Sequence, residues 1–190
     1  MQLYGSNTSP FARRLRIWCE QHNLAVSFQH LDIFSPDGRK FLLAHSPVAK
    51  IPFLVDGEQV IYDSNVVYEY LSAHFKLPSM SWDERNQLTV INAANDSAIE
   101  LLLSQRSGFD TNEEHLFFDL QKQRIALCLD ALEQQVAAIQ HSYVCASLFC
   151  LLDWLQFREL HDVTPYPALM AFWQAQKTSP QAQATDPRQG

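Results

Sequence analysis

Two short runs of this chain put hydroxyl and carboxylate side chains where a helix is about to begin. The first is Ser6-Asn7-Thr8-Ser9-Pro10-Phe11-Ala12-Arg13-Arg14, and the second is Lys50-Ile51-Pro52 followed by Asp63-Ser64. Proline suits the first helical position and serine the N-cap before it, so Ser9-Pro10 marks a helix start. Asp63-Ser64 precedes Val66, Val67, Tyr70 and Leu71 at helical spacing and marks another. A helix N-terminus offers amide donors and a positive dipole end, and is therefore a natural point for holding a carboxylate. Either pair also reads as an ordinary cap with no chemistry. Pro52 sits ahead of an extended run, cannot donate to a strand ladder, and follows Ile51 at a bend, the usual setting for a cis peptide.

The elements that must position these residues alternate. Gln2 to Gly5 is extended, Pro10 to Gln21 helical, Val26 to Asp32 extended, and Gly38 to Ala44 a short helical piece. Phe53-Leu54-Val55, Asp56-Gly57 and Gln59 to Tyr62 form a hairpin, because Asp-Gly is among the strongest two-residue turn signals. A helix over Ser64 to Phe75 closes the series β-α-β-α-β-β-α, which implies a mixed α/β unit with a parallel core and an antiparallel edge hairpin.

Leu77-Pro78-Ser79 breaks the pattern, and Ser81 before Trp82-Asp83-Glu84 starts a new helix with acids in its first turn. Beyond it strands disappear. Leu88, Ile91, Ala94, Ala98 and Leu101 trace one helical face, and Leu116, Leu120, Ile125, Leu129 and Leu132 another. Ala146 to Leu160 is apolar nearly all round and reads as a buried helix with Ser147 as a lone cap. A shorter helix follows Pro165-Tyr166-Pro167. The expected domains are 1–78 and an all-helical 82–190, with a loosely ordered tail from about 179.

Composition excludes several classes. The 190 residues carry a formal charge of −7. Seven basic and seven acidic residues precede Pro78, against seven and fourteen after it, so the excess lies in the second half. An acidic chain without a basic stripe argues against nucleic acid as a partner. Apolar runs fall short of the ~20 residues of a membrane span, and Leu3-Tyr4-Gly5 leaves no room for a leader, so a cytoplasmic protein is expected. Cys19, Cys128, Cys145 and Cys150 form no Cys-x-x-Cys pair and read as buried reduced thiols, and the seven histidines show no zinc spacing, so no metal is expected. Arg13, Arg14, Arg16, Arg39, Lys40 and Lys50 flank the two helix starts, either attracting a small anion or forming solvated faces.

The run from Lys50 to Leu71 resembles the glutathione-binding half of the thioredoxin-like domain in the glutathione S-transferase superfamily, whose signature is an aliphatic-Pro bend, a hairpin and an acidic-Ser pair opening a helix. The resemblance extends over nearly the full chain as a thioredoxin-like N-terminal domain followed by an all-helical C-terminal domain. It implies that the Ile51 backbone pairs with the cysteinyl part of glutathione, with Pro52 as the cis proline. Asp63 would receive the γ-glutamyl ammonium, Ser64 its carboxylate, and Lys50 would approach the glycyl end. Ser9-Pro10-Phe11 stands where glutaredoxins and omega-class transferases carry Cys-Pro and where tau-class transferases carry Ser-Pro-Phe. Ser9 would then donate to the glutathione thiolate, with Thr8 as the rival donor, Asn7 and Tyr4 as weaker ones, and Phe11 packing over the site.

The resemblance further implies glutathione as co-substrate, a small electrophile or peroxide as second substrate, and a homodimer formed through the first helix of the second domain. Asn92, Asn95, Asp96, Ile99 and Leu103 on that helix are the candidates for contact with the electrophile, and Asp96 either reaches a neighbouring subunit's ligand or is solvated. No cysteine occupies positions 9 to 12, which disfavours thiol-disulfide chemistry through the chain's own thiol. The alternative is a non-catalytic regulatory protein similar to the stringent starvation proteins, which use this fold to bind RNA polymerase.

Overall fold

The computed structural model describes residues 1–189 and divides into two compact units, Met1–Ser79 with the segment from Pro180 on, and Met80–Ser179. In the first unit β1 (Gln2–Gly5), α1 (Pro10–Gln21), β2 (Ser27–His30), α2 (Pro36–His45), β3 (Phe53–Asp56), β4 (Gln59–Tyr62) and α3 (Ser64–His74) follow one another. This is the expected β-α-β-α-β-β-α order. The sheet runs β2-β1-β3-β4. Parallel pairing is confined to β1 and β2, since β3 joins β1 antiparallel with Leu3 opposite Leu54, and β4 returns on β3. The expected parallel core is thus a single parallel pair. The Asp56-Gly57 turn behaves as its composition dictates, with Gly57 at φ +59°, a conformation that costs glycine nothing.

Strand alternation sorts the side chains onto two faces. On one, Tyr4 stacks on Phe53 at 5.1 Å and lies 5.2 Å from Phe41 of α2, within a cluster built on Leu31, Leu42 and Phe53. Burial of each such large side chain contributes on the order of 2 kcal/mol. Gly5 permits close approach of α1, because a Cβ there would stand 2.6 Å from that of Ala12. Helix α1 packs on α3 through Trp18 and Tyr68, whose rings meet edge-on at 4.9 Å.

The second unit is all-helical: α4 (Trp82–Arg106), α5 (Leu116–Gln135), α6 (Ser142–Phe157) and α7 (Pro167–Lys177). A capping box opens α4, with Ser81 and Glu84 exchanging hydrogen bonds. Helix α6 is buried along most of its length, from Tyr143 to Leu155. It begins at Ser142, four residues before the expected start, with His141 accepting from the Tyr143 amide. Ser147 is therefore not a cap; its hydroxyl donates to the Tyr143 carbonyl at 2.7 Å, one turn back. Buried Asp153 accepts from the Trp173 indole of α7 at 3.0 Å. The start of α7 lacks a local side-chain cap, and Glu133 of α5 supplies one by accepting from the Ala168 and Leu169 amides, each at 2.8 Å.

The end of the chain departs from expectation. Instead of a loose tail on the second domain, Pro180–Ala184 forms α8, and Ala182, Thr185 and Pro187 are buried. The physical reason is Arg13, whose buried guanidinium donates to the Ala182 carbonyl and to the Thr185 hydroxyl. Among the described residues no helix is long and apolar enough to cross a membrane.

Candidate functional site

Ser9 caps α1. Its Oγ accepts from the Ala12 amide at 3.2 Å and its carbonyl from the Arg13 amide at 3.0 Å. A hydroxyl that accepts in this way keeps its own proton for donation. Thr8 Oγ1 lies 3.2 Å from Ser6 Oγ, and the Thr8 amide donates to the same Ser6 oxygen. The loop before the helix is held from β2 and α1, since the Asn7 amide donates to His30 Nδ1 and the Asn7 side chain accepts from Arg16. Phe11 is half-buried, with the Arg14 guanidinium 4.9 Å from its ring centre.

The second half of the candidate site lies around the bend before β3 and the start of α3. The Ile51–Pro52 peptide is cis. Pro52 is buried beside the end of β1, where a Cβ on Gly5 would lie 3.8 Å from the proline Cβ. The bend and the loop leading to Ser9 are therefore neighbours. Ile51 packs on the Leu31, Leu42 and Phe53 cluster. Lys50 is exposed, and the structure ties its side chain to none of the other candidates.

Asp63, at φ 68°, is the cap of α3; its exposed carboxylate accepts from the Asn65 amide at 2.7 Å and from that of Val66 at 3.4 Å. Ser64 is buried, and its hydroxyl accepts a 2.6 Å hydrogen bond from Arg14. The structure thus joins Ser64 to α1 and Pro52 to the end of β1. Neither α1 nor α3 has an acid in its first turn. The positive dipole end of α1 therefore faces no carboxylate of its own first turn, whereas that of α3 is met by Asp63 at its cap.

Of the two expectations for the α1 arginines, attraction for a small anion or a solvated face, Arg13 and Arg14 depart from the second. Arg13 and Arg14 are 4% and 1% exposed, and Arg16 lies 4.1 Å from the Phe28 ring. The sequence placed Arg14 beside the helix starts as a charge for a small anion or a solvated face, and missed it as a buried partner of Ser64. The signal was its place one helical turn from both Phe11 and Trp18, inside the apolar stripe rather than beside it. Tyr4 packs in the sheet, its hydroxyl donating to Gln2. On α4, Asn95 is wholly buried, Asn92 and Ile99 are half-buried, and Asp96 and Leu103 are exposed, so these candidates do not share one environment. Among the chain's thiols, burial pushes Cys19 up to about 12 and also raises Cys128 and Cys145, which leaves them protonated at neutral pH.

Residues 3–79 match the family model of the glutathione S-transferase N-terminal domain. The sheet but for Gln2, both helix starts and the bend lie inside that match. Solved structures with the same fold cover nearly the whole chain. A glutathione S-transferase from Methylobacillus flagellatus with GSH bound superposes with a TM-score of 0.85 at 21% identity, covering 97% of this chain and 98% of that one. A glutathione transferase family member from Pseudomonas fluorescens Pf-5 with bound glutathione gives 0.80 at 24% identity, covering 97% of each. Glutathione S-transferase 1-6 from Anopheles dirus gives 0.81 at 19% identity, covering 99% and 94%. Among curated proteins, a stringent starvation protein A homolog from Coxiella burnetii is 29% identical over 80 residues, 42% of this chain and 37% of that protein. That match spans little more than a third of the relative's length. The whole chain therefore has the architecture of a thioredoxin-like domain followed by a helical one, as in these transferases.

Proposed function

We propose that the chain is a cytoplasmic, homodimeric glutathione transferase. The observation that carries the reading is the family match over residues 3–79, within which α1 starts at Ser9-Pro10 and α3 at Asp63-Ser64. In this reading the Ile51 backbone pairs with the cysteinyl unit beside Pro52. Asp63 takes the γ-glutamyl ammonium and Ser64 its carboxylate, while Lys50 approaches the glycyl end and Phe11 packs over the ligand. The thiol loses its proton to solvent, and the Ser9 hydroxyl and the α1 dipole favour the anion that remains. With a free thiol pKa near ~8.5, a fall of roughly one to two units makes the sulfur largely anionic at neutral pH. The sulfur then forms a new bond to an electrophilic carbon, whose leaving group departs with the bonding pair; a peroxide is the alternative second substrate. No nucleic acid, membrane or metal is needed.

Retention on immobilised glutathione, compared among the wild type and the Ser64→Ala and Asp63→Ala variants, tests the binding half. Equal and poor retention of all three would remove the foundation of the reading. The likeness to the stringent starvation protein A homolog supports a second reading, a regulatory protein of the same fold without turnover. Conjugation of a model aryl halide separates the two. Glutathione binding without thioether formation favours the regulatory protein.

A further inference from the structure

We infer that Arg14 is a positioning residue for the γ-glutamyl carboxylate, acting through Ser64; this rests on the glutathione-binding reading above. The guanidinium is 1% exposed and donates from one nitrogen to Ser64 Oγ at 2.6 Å and to Asn65 Oδ1 at 3.1 Å, the first two residues of α3. Its other face lies against Phe11, two residues past the Ser9 cap. One side chain therefore ties the first turn of α1 to the first turn of α3.

Stability alone does not call for an arginine here. Arg14 lies on the buried stripe of α1 with Leu15 and Trp18, where an apolar side chain would avoid the cost of taking a cation out of water. What arginine adds is direction and charge. A guanidinium only donates, so it occupies a lone pair of Ser64 Oγ and turns the hydroxyl proton toward another acceptor. The 2.6 Å charge-assisted bond holds that orientation tightly. The buried positive charge also adds to the dipole end of α3, and both favour an anion over a neutral group at that point.

Calorimetric titration with glutathione, and with 4-aminobutanoyl-cysteinylglycine, which keeps the ammonium but lacks the γ-glutamyl carboxylate, tests the assignment. Arg14→Met and Ser64→Ala should each weaken glutathione by about tenfold or more, and the double variant should be no weaker than the poorer single one. Arg14→Lys should fall between Arg14→Met and wild type. The carboxylate-free analogue should bind wild type and Arg14→Met alike, which a merely structural role would not give. If Arg14→Met fails to fold, Arg14→Lys with the two ligands decides, since only glutathione should weaken. Unchanged glutathione affinity, equal losses for both ligands, or additive losses in the double variant would overturn the inference and leave the glutathione reading standing. A wild type that binds neither ligand removes both.

Discussion

Arg13 of α1 hydrogen-bonds to Thr185, 172 residues away along the chain, at 3.2 Å, and with a second nitrogen to the Ala182 carbonyl at 3.0 Å. The end of the chain is thereby a structural part of the unit that contains Ser9. Each hydrogen bond to a buried charge contributes roughly 1.5–3 kcal/mol net, and removing one side strands the other. Truncation after Ser179 should lower the unfolding free energy obtained from urea titration by at least an amount in that range. Arg13→Met should cost much less in the truncated chain than in the full one. A truncated chain as stable as the full one would show that the contact carries no energy.

Ser9→Ala should raise the pKa of bound glutathione's thiol, seen as loss of thiolate absorbance at neutral pH with little change in affinity. Turnover at neutral pH should fall as the thiolate fraction falls. Thr8→Val should leave the absorbance unchanged. The reverse pattern would transfer the donor role from Ser9 to Thr8.

Asp63 is both the cap of α3 and the proposed partner of an ammonium, and Asn separates the roles. Asp63→Asn keeps an oxygen that accepts from the Asn65 amide, so thermal stability should change little, whereas Asp63→Ala should cost about 1 kcal/mol. Glutathione should bind Asp63→Asn about tenfold more weakly, because the opposite charge is gone. If Asp63→Asn binds as wild type does, the residue is a cap alone.

Glu84 gives the second unit a specific acid sensitivity. Its carboxylate accepts from the Ser81 amide at 2.7 Å and from the Ser81 hydroxyl at 2.9 Å, and the amide bond is the main cause that holds its pKa below the ordinary 4.5. The folded value lies below the unfolded one, so the stabilisation is complete above the unfolded value and is lost as pH falls through the folded one. Glu84→Gln should therefore cost stability near neutral pH, at most about 1 kcal/mol for this exposed cap, and nothing measurable once the wild-type carboxyl is protonated. Urea titrations of both proteins at neutral and acidic pH check this. A gap that persists in acid would assign the effect to packing.

Features set within a few residues were legible in the sequence. The Asp56-Gly57 turn, the Ser9-Pro10 start and the helix start at Ser81 appear as their composition implies, because local sterics and short-range hydrogen bonds determine them. Helix α6 starts ahead of its apolar run, with Ser142, a usual cap residue, already inside the helix. Its cap is a histidine, a residue outside the usual set.

By itself the sequence determined the element order through α7, the two-part architecture and the chemical types available at each helix start. Only the tertiary structure decided which partners those groups take. Arg13 and Arg14 are neighbours on one helix, yet one anchors the end of the chain and the other holds the first turn of α3. The α7 start draws its cap from Glu133, 35 residues upstream. A buried charge or an uncapped helix end must find partners wherever packing brings donors and acceptors together. Such pairing depends on distances across the folded unit, which no local spacing in the chain encodes.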